Sequence, residues 1–201
     1  MGAYLPEAPG QPGFVRFVPG PSKTPALRSG TIDPSAPYSF DLPKEGKWKE
    51  AKVANAISGN YCQPRCDEPT TEVIFQSGKQ GKVSIVISPL TKVTRLVNPS
   101  VSDVGTPEQL IASFGPYITG DTIDTANDVV SATQLAEDGQ TYYLYELFTP
   151  TALSGAHNVA SLTFKGGVSL LCIASASEKQ WDAAEADLKA VVRSFRIGKK
   201  V

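Results

Sequence analysis

Four side chains in this chain of 201 residues carry most of its soft-ligand and nucleophile chemistry: Cys62, Cys66, Cys172 and the single histidine, His157. Cys62 and Cys66 form a Cys-x3-Cys pair in Gly59-Asn60-Tyr61-Cys62-Gln63-Pro64-Arg65-Cys66. A segment rich in turn formers holds both thiols close enough for a local disulfide, which implies an oxidising compartment. Two free thiols are the second reading. Zinc is the third, because Cys62, Cys66, Cys172 and His157 make the one Cys3His set that the composition offers, and nothing in their spacing makes them converge. Cys172 lies inside the apolar run Val168 to Ala174, where a lone cysteine behaves as a small buried hydrophobe.

Catalytic patterns are sparse. The sequence has no Gly-x-Ser-x-Gly elbow and no His-Glu-x-x-His helix, and one histidine leaves room for one imidazole-dependent centre. Asp121, Asp124 and Asp128 crowd one loop without the ligand order or central glycine of a calcium loop, so they read as a solvated acidic turn. Gln76-Ser77-Gly78-Lys79-Gln80-Gly81 superficially suggests a phosphate loop, but the upstream glycine is missing and the stretch reads as a hairpin turn. Lys44, Lys47, Lys49 and Lys52, interrupted by Glu45 and Glu50, form a solvated basic face or a partner-docking patch.

These residues must be positioned by short elements. Expected strands run over 38–42, 51–57, 72–75, 83–88, 129–136, 141–148, 158–164 and 168–175, separated by turn signals such as Lys165-Gly166-Gly167. Thr106-Pro107-Glu108-Gln109 supplies a cap, a proline and an acidic first turn for one helix. Trp181, Ala184, Leu188, Val191 and Phe195 recur at helical spacing and predict a second, long amphipathic helix. Strands joined by hairpins and covered by helices indicate an α+β domain over residues 37–201 with a mainly antiparallel sheet. Residues 1–36 hold seven prolines and five glycines without apolar periodicity, and predict an extended, flexible arm. Met1-Gly2 reads as an initiator remnant ahead of a mature amino terminus, from which a targeting sequence has been removed.

Composition narrows the partners. The 20 acidic and 19 basic side chains remove the broad cationic field that nucleic-acid binding needs. No apolar run approaches the roughly 20 residues required to span a bilayer. Residues 1–100 carry 12 Lys+Arg against 8 Asp+Glu, and residues 101–201 carry 7 against 12, a polarity suited to docking on a protein.

Taken together, Tyr38-Ser39-Phe40-Asp41-Leu42-Pro43 followed by Trp48, the Gly105-Thr106-Pro107-Glu108 helix start, Gly139-Gln140-Thr141-Tyr142-Tyr143, His157 leading into Val168 to Cys172, Glu178-Lys179-Gln180-Trp181 and Ser194-Phe195 resemble the PsbP family in order, over residues 36–197. That resemblance implies a central antiparallel sheet flanked by helices on both sides, an α/β/α sandwich. It also implies a non-enzymatic protein of the chloroplast thylakoid lumen, extrinsic to the membrane and bound to photosystem lumenal subunits or assembly intermediates. The family includes the extrinsic photosystem II subunit of the oxygen-evolving complex, whose lysine-rich amino-terminal segment helps docking and the retention of calcium and chloride. The Pro/Gly-rich arm and the Cys62/Cys66 pair depart from that subunit. They favour a divergent PsbP-domain protein acting in photosystem assembly, repair or regulation, most naturally of photosystem II, with a disulfide open to a lumenal thioredoxin-like protein.

His157 matches the family's histidine at the start of a late strand, and Glu178 stands where the photosystem II subunit has an aspartate. The resemblance implies a histidine–carboxylate pair that is structural or binds Zn, Mn or Ca weakly, with no cofactor required; the remaining reading is that the two residues make no contact here. Any metal affinity falls as the imidazole protonates. The alternative function is a lumenal carrier of a small ligand or divalent metal.

Overall fold

The computed structural model describes residues 5–198. Met1-Gly2, the rest of the expected arm through Tyr4, and the last three residues of the expected domain lie outside them. In chain order the elements are β1 (Phe14–Phe17), α1 (Pro25–Ser29), β2 (Phe40–Pro43), β3 (Lys49–Ala51), β4 (Thr70–Ser77), β5 (Gly81–Pro89), α2 (Val101–Val104), α3 (Pro107–Thr119), β6 (Val129–Glu137), β7 (Gln140–Phe148), β8 (His157–Lys165), β9 (Val168–Ala176) and α4 (Glu178–Ser194).

Seven strands form one antiparallel sheet in the order β3-β4-β5-β9-β8-β7-β6. Side-chain alternation along β9 shows why it is central: Val168, Leu170, Cys172 and Ala174 face one apolar core, and Leu171 and Ile173 face another. The first core is closed by α4, α1 and the β1–β2 ribbon, the second by α2 and α3. The fold is therefore α+β, with helices on both faces of the sheet.

Local chemistry fixes the element ends. Thr106 and Gln109 form a reciprocal capping box ahead of α3, and the Trp181/Ala184/Leu188/Val191 stripe of α4 is buried. Gly166 and Gly167 both take positive φ in the β8–β9 turn, as the favoured two-residue hairpin requires. Residues 51–57 differ from expectation. The strand ends at Ala51, whose partner is Ile74, and a helical turn follows over Asn55–Ile57. The neighbouring ladder is broken there by a bulge in β4 between Thr71 and Val73, which leaves little for a longer edge strand to pair with.

The separate, unpacked arm expected over residues 1–36 is corrected for residues 5–36. β1 pairs antiparallel with β2, and Arg16 grips the buried Asp41 carboxylate through two hydrogen bonds of 2.7 and 2.9 Å. Phe17, Ala26, Leu27 and Ile32 enter the first core. Four well-placed apolar side chains and a bidentate ion pair anchor a segment whose proline content alone argues for disorder.

Candidate functional site

The Cys62/Cys66 segment follows a helical turn at Gly59–Tyr61 and leads towards β4. The two sulfurs lie at the bonding distance of 2.10 Å, with the Cα atoms 4.8 Å apart. Both cysteines are half-buried, and Tyr61 beside them is 82% exposed. The inner face of this loop is seated on the amino-terminal segment. The Thr31 hydroxyl donates to Gln63 Oε1 at 2.8 Å, Ser29 Oγ donates to the same oxygen, and Arg28 donates to Asn60 Oδ1 at 2.6 Å. The loop that carries the thiols is thus one of the clamps on α1. Cys172 is fully buried and unbridged in the first core, and burial pushes its thiol well above the ordinary range. It does not converge with Cys62, Cys66 and His157, because no group of three metal-ligating side chains occurs among the described residues.

His157 opens β8 next to the end of β7, and Glu178 is the first residue of α4, so the end of an interior strand and the start of the helix bring the two together. Nε2 of His157 lies 2.9 Å from Oε2 of Glu178. The imidazole stacks on Trp181 with ring centroids 4.5 Å apart, and Phe148 lies 4.8 Å away on its ring centroid. Only 14% of the His157 side chain is exposed against 71% for Glu178. The pair offers a metal one nitrogen and one solvated carboxylate. The aromatic contacts hold the ring in place whether or not a metal is bound.

The basic cluster divides in the structure. Lys44 pairs with Glu7, while Lys47 and Lys49 are exposed. Lys52 lines a cavity of about 200 Å³ with Lys23, Arg28 and Glu50, and Glu72 lies on the same wall. The acidic loop is organised by its own turns: Asp124 accepts from the Ala126 N–H and the Asn127 side chain, and Asp128 accepts from the Asp124 N–H. These bonds hold the Asp124 carboxyl below its usual range.

Glu72 is the residue that sequence reasoning missed. It occupies the β4 bulge, with no Cα partner on β5, and the bulge turns its side chain into the seat of α1. The residue is 4% exposed and neither carboxylate oxygen has a hydrogen-bond partner. Burial raises its pKa, and Thr24, the Ala26 N–H and Arg28 offset only part of that cost. The available signal was a glutamate inside an otherwise β-type run, Thr70–Ser77, but a bulge cannot be read from alternation alone.

The geometry has counterparts among known proteins. PsbP domain-containing protein 6, chloroplastic, of Arabidopsis thaliana is 47% identical over 198 residues, which span 98% of this chain and 73% of that protein. The solution structure of cyanobacterial PsbP (CyanoP) from Synechocystis sp. PCC 6803 superposes with a TM-score of 0.55 at 21% identity, covering 97% of this chain and 98% of that one, and so shares the fold. The family model described as PsbP matches residues 31–197, which take in the seven-stranded sheet, the second core, most of the first, the cysteine loop and the His157–Glu178 pair, and the chain belongs to that family.

Proposed function

We propose that this chain is a non-enzymatic accessory protein of the chloroplast thylakoid lumen that docks on a photosystem, most naturally photosystem II, during assembly, repair or regulation. The observation that carries this reading is the 47% identity, over 98% of the chain, to a chloroplastic PsbP-domain protein. The side chains are consistent with it. His157 is occupied by Glu178, Trp181 and Phe148 rather than poised against a nucleophile. Among the described residues no helix is long and apolar enough to cross a membrane, which suits a peripheral partner.

The finer part of the proposal is redox control. A lumenal thioredoxin-like dithiol attacks the Cys62–Cys66 bridge through a mixed disulfide, becomes a disulfide itself and leaves two thiols on this chain. Because Asn60 and Gln63 clamp α1, opening the ring loosens the seat of the amino-terminal segment. Lys47, Lys49 and Lys52 remain candidate docking contacts, and Lys44 joins them where a partner displaces Glu7. A carrier role has less support, since His157 and Glu178 supply two donors and no third metal-ligating side chain joins them among the described residues.

Affinity capture from detergent-solubilised thylakoids tests the docking role. Tagged protein in its oxidised form should retain photosystem subunits through washing. Recovery of the bait alone, under conditions that preserve the complexes, contradicts it.

A further inference from the structure

β6 forms one outer edge of the sheet, paired with β7 on one side and with no strand on the other among the described residues. The opposite edge strand, β3, has three residues, whereas β6 has nine. Asp138 and Gly139 form a two-residue turn with Glu137 and Gln140 as the closing pair. In such a hairpin the closing pair exchanges both backbone hydrogen bonds, and the bonded residues then alternate. Glu137, Leu135 and Thr133 therefore face their N–H and C=O groups to β7, and Ala136, Gln134 and Ala132 face theirs outwards.

Natural proteins blunt such edges with lysine, proline or inward charge. Val129 to Ala136 contains none of these, and the one charge of the strand, Glu137, stands at its end beside Arg196. The bulge between Val129 and Ser131 irregularises only the start of the strand and leaves Ser131 to Glu137 in continuous register.

On the flank of this edge the cations are held by carboxylates, with the exception of Arg193. Ser131 and Thr133 line a groove of about 130 Å³ with Lys189 and Arg193 of α4. Lys189 is held by Glu146 and Glu185, and Arg196 lies over Tyr142 with Glu137 at 3.8 Å. No carboxylate pairs with Arg193 among the described residues, although this side chain borders both the groove and a second cavity of about 380 Å³ that includes Arg16 with Asp41 and Arg196 with Glu137. Arg193 is therefore the uncompensated cation among the side chains lining these two cavities.

We propose that β6 is a docking edge that takes an extended, acidic segment of a partner protein as an added strand, with a carboxylate of that segment received by Arg193. The outward N–H and C=O groups of Ala132, Gln134 and Ala136 require an extended chain, and Arg193 supplies the preference for acid. A second copy is the wrong occupant. A two-fold pairing of β6 with β6, about an axis perpendicular to the sheet, keeps both α4 helices on one face and brings the two Arg193 flanks together. The inference rests on the partner-docking reading above and names a surface for it.

The test uses the purified protein and three labelled probe peptides: acetyl-(Glu-Val)4-amide, its Lys-Val counterpart, and an acidic version with proline at alternate positions. The acidic extended peptide should bind and slow amide exchange at Ala132, Gln134 and Ala136. The other two peptides should bind at least about tenfold more weakly. Arg193→Glu should weaken the acidic peptide by a similar factor. Gln134→Pro, which removes one outward donor, should abolish exchange protection, and Ala136→Asp gives a second route should the proline variant fail to fold. Unchanged exchange at the three amides, equal binding of the Lys-Val peptide, or a concentration-dependent dimer protected along β6 without peptide each overturns the proposal. Because these readings need no photosystem, failure removes the β6 surface and leaves the photosystem association to be judged on its own.

Discussion

Cys62 and Cys66 are four residues apart, so their bridge closes a short ring. The chain-entropy account gives such a ring about 2 kcal/mol, and at about 2–4 °C per kcal/mol for a domain of this size reduction should lower the melting temperature by about 4–8 °C. The transition should remain single, because neither core contains the ring. Amide exchange should accelerate over residues 24–32, where Ser29, Thr31 and Arg28 meet the loop. Acceleration confined to 61–67 would show that the bridge does not govern the amino-terminal segment. The Cys-x3-Cys spacing made a local bridge legible as one of three readings. Its coupling to α1 was not legible, because Gln63 and Thr31 are 32 residues apart and their contact exists only once the chain has folded.

At the scale of elements, the amino-terminal segment differs most from its sequence. Phe17 is 3% exposed and packs 5.1 Å from Phe40 and 5.0 Å from Phe75 between ring centroids. Phe17→Ala should cost about 3–5 kcal/mol in urea unfolding, the usual range for a buried phenylalanine. A loss below about 1 kcal/mol would mean that β1 is dispensable to the core. Glu72, under α1, sets a pH dependence of determined sign. Its folded-state pKa is raised by burial, so the folded protein holds this proton more tightly than the unfolded chain does. The contribution is fully present below the ordinary carboxylate value and is lost as pH rises through the raised value. Glu72→Gln should therefore melt above the parent at pH 7 to 8, and the difference should shrink as pH falls towards the ordinary carboxylate range. A difference that grows on acidification contradicts this. Helices α3 and α4 were legible because caps and period speak locally. The bulge in β4 and the docking of β1 were not, because pairing across the chain decides both.

Over the whole molecule, the order β3-β4-β5-β9-β8-β7-β6 places the strands of the basic first half on one side of the sheet and those of the acidic second half on the other. The strands themselves carry Lys49 and Lys82 against Glu50 and Glu72 on the first side and Lys165 against Glu137 and Glu146 on the other, so the charge polarity counted along the sequence resides mainly in the segments outside the sheet. Sequence patterning reached the α+β class and the mainly antiparallel sheet because hairpin turns and one amphipathic stripe determine them, whereas the cover of helices on both faces came from the family resemblance. The order of strands lay beyond it, since β5 pairs with β9 across about 80 residues of chain. Docking on a photosystem is the central claim, and it is tested most directly by native electrophoresis of gently solubilised thylakoids that retain their lumenal proteins. The account predicts that this protein migrates with a photosystem-containing complex. Migration only as the free protein, while the extrinsic lumenal subunits stay bound to their complexes in the same sample, would contradict it.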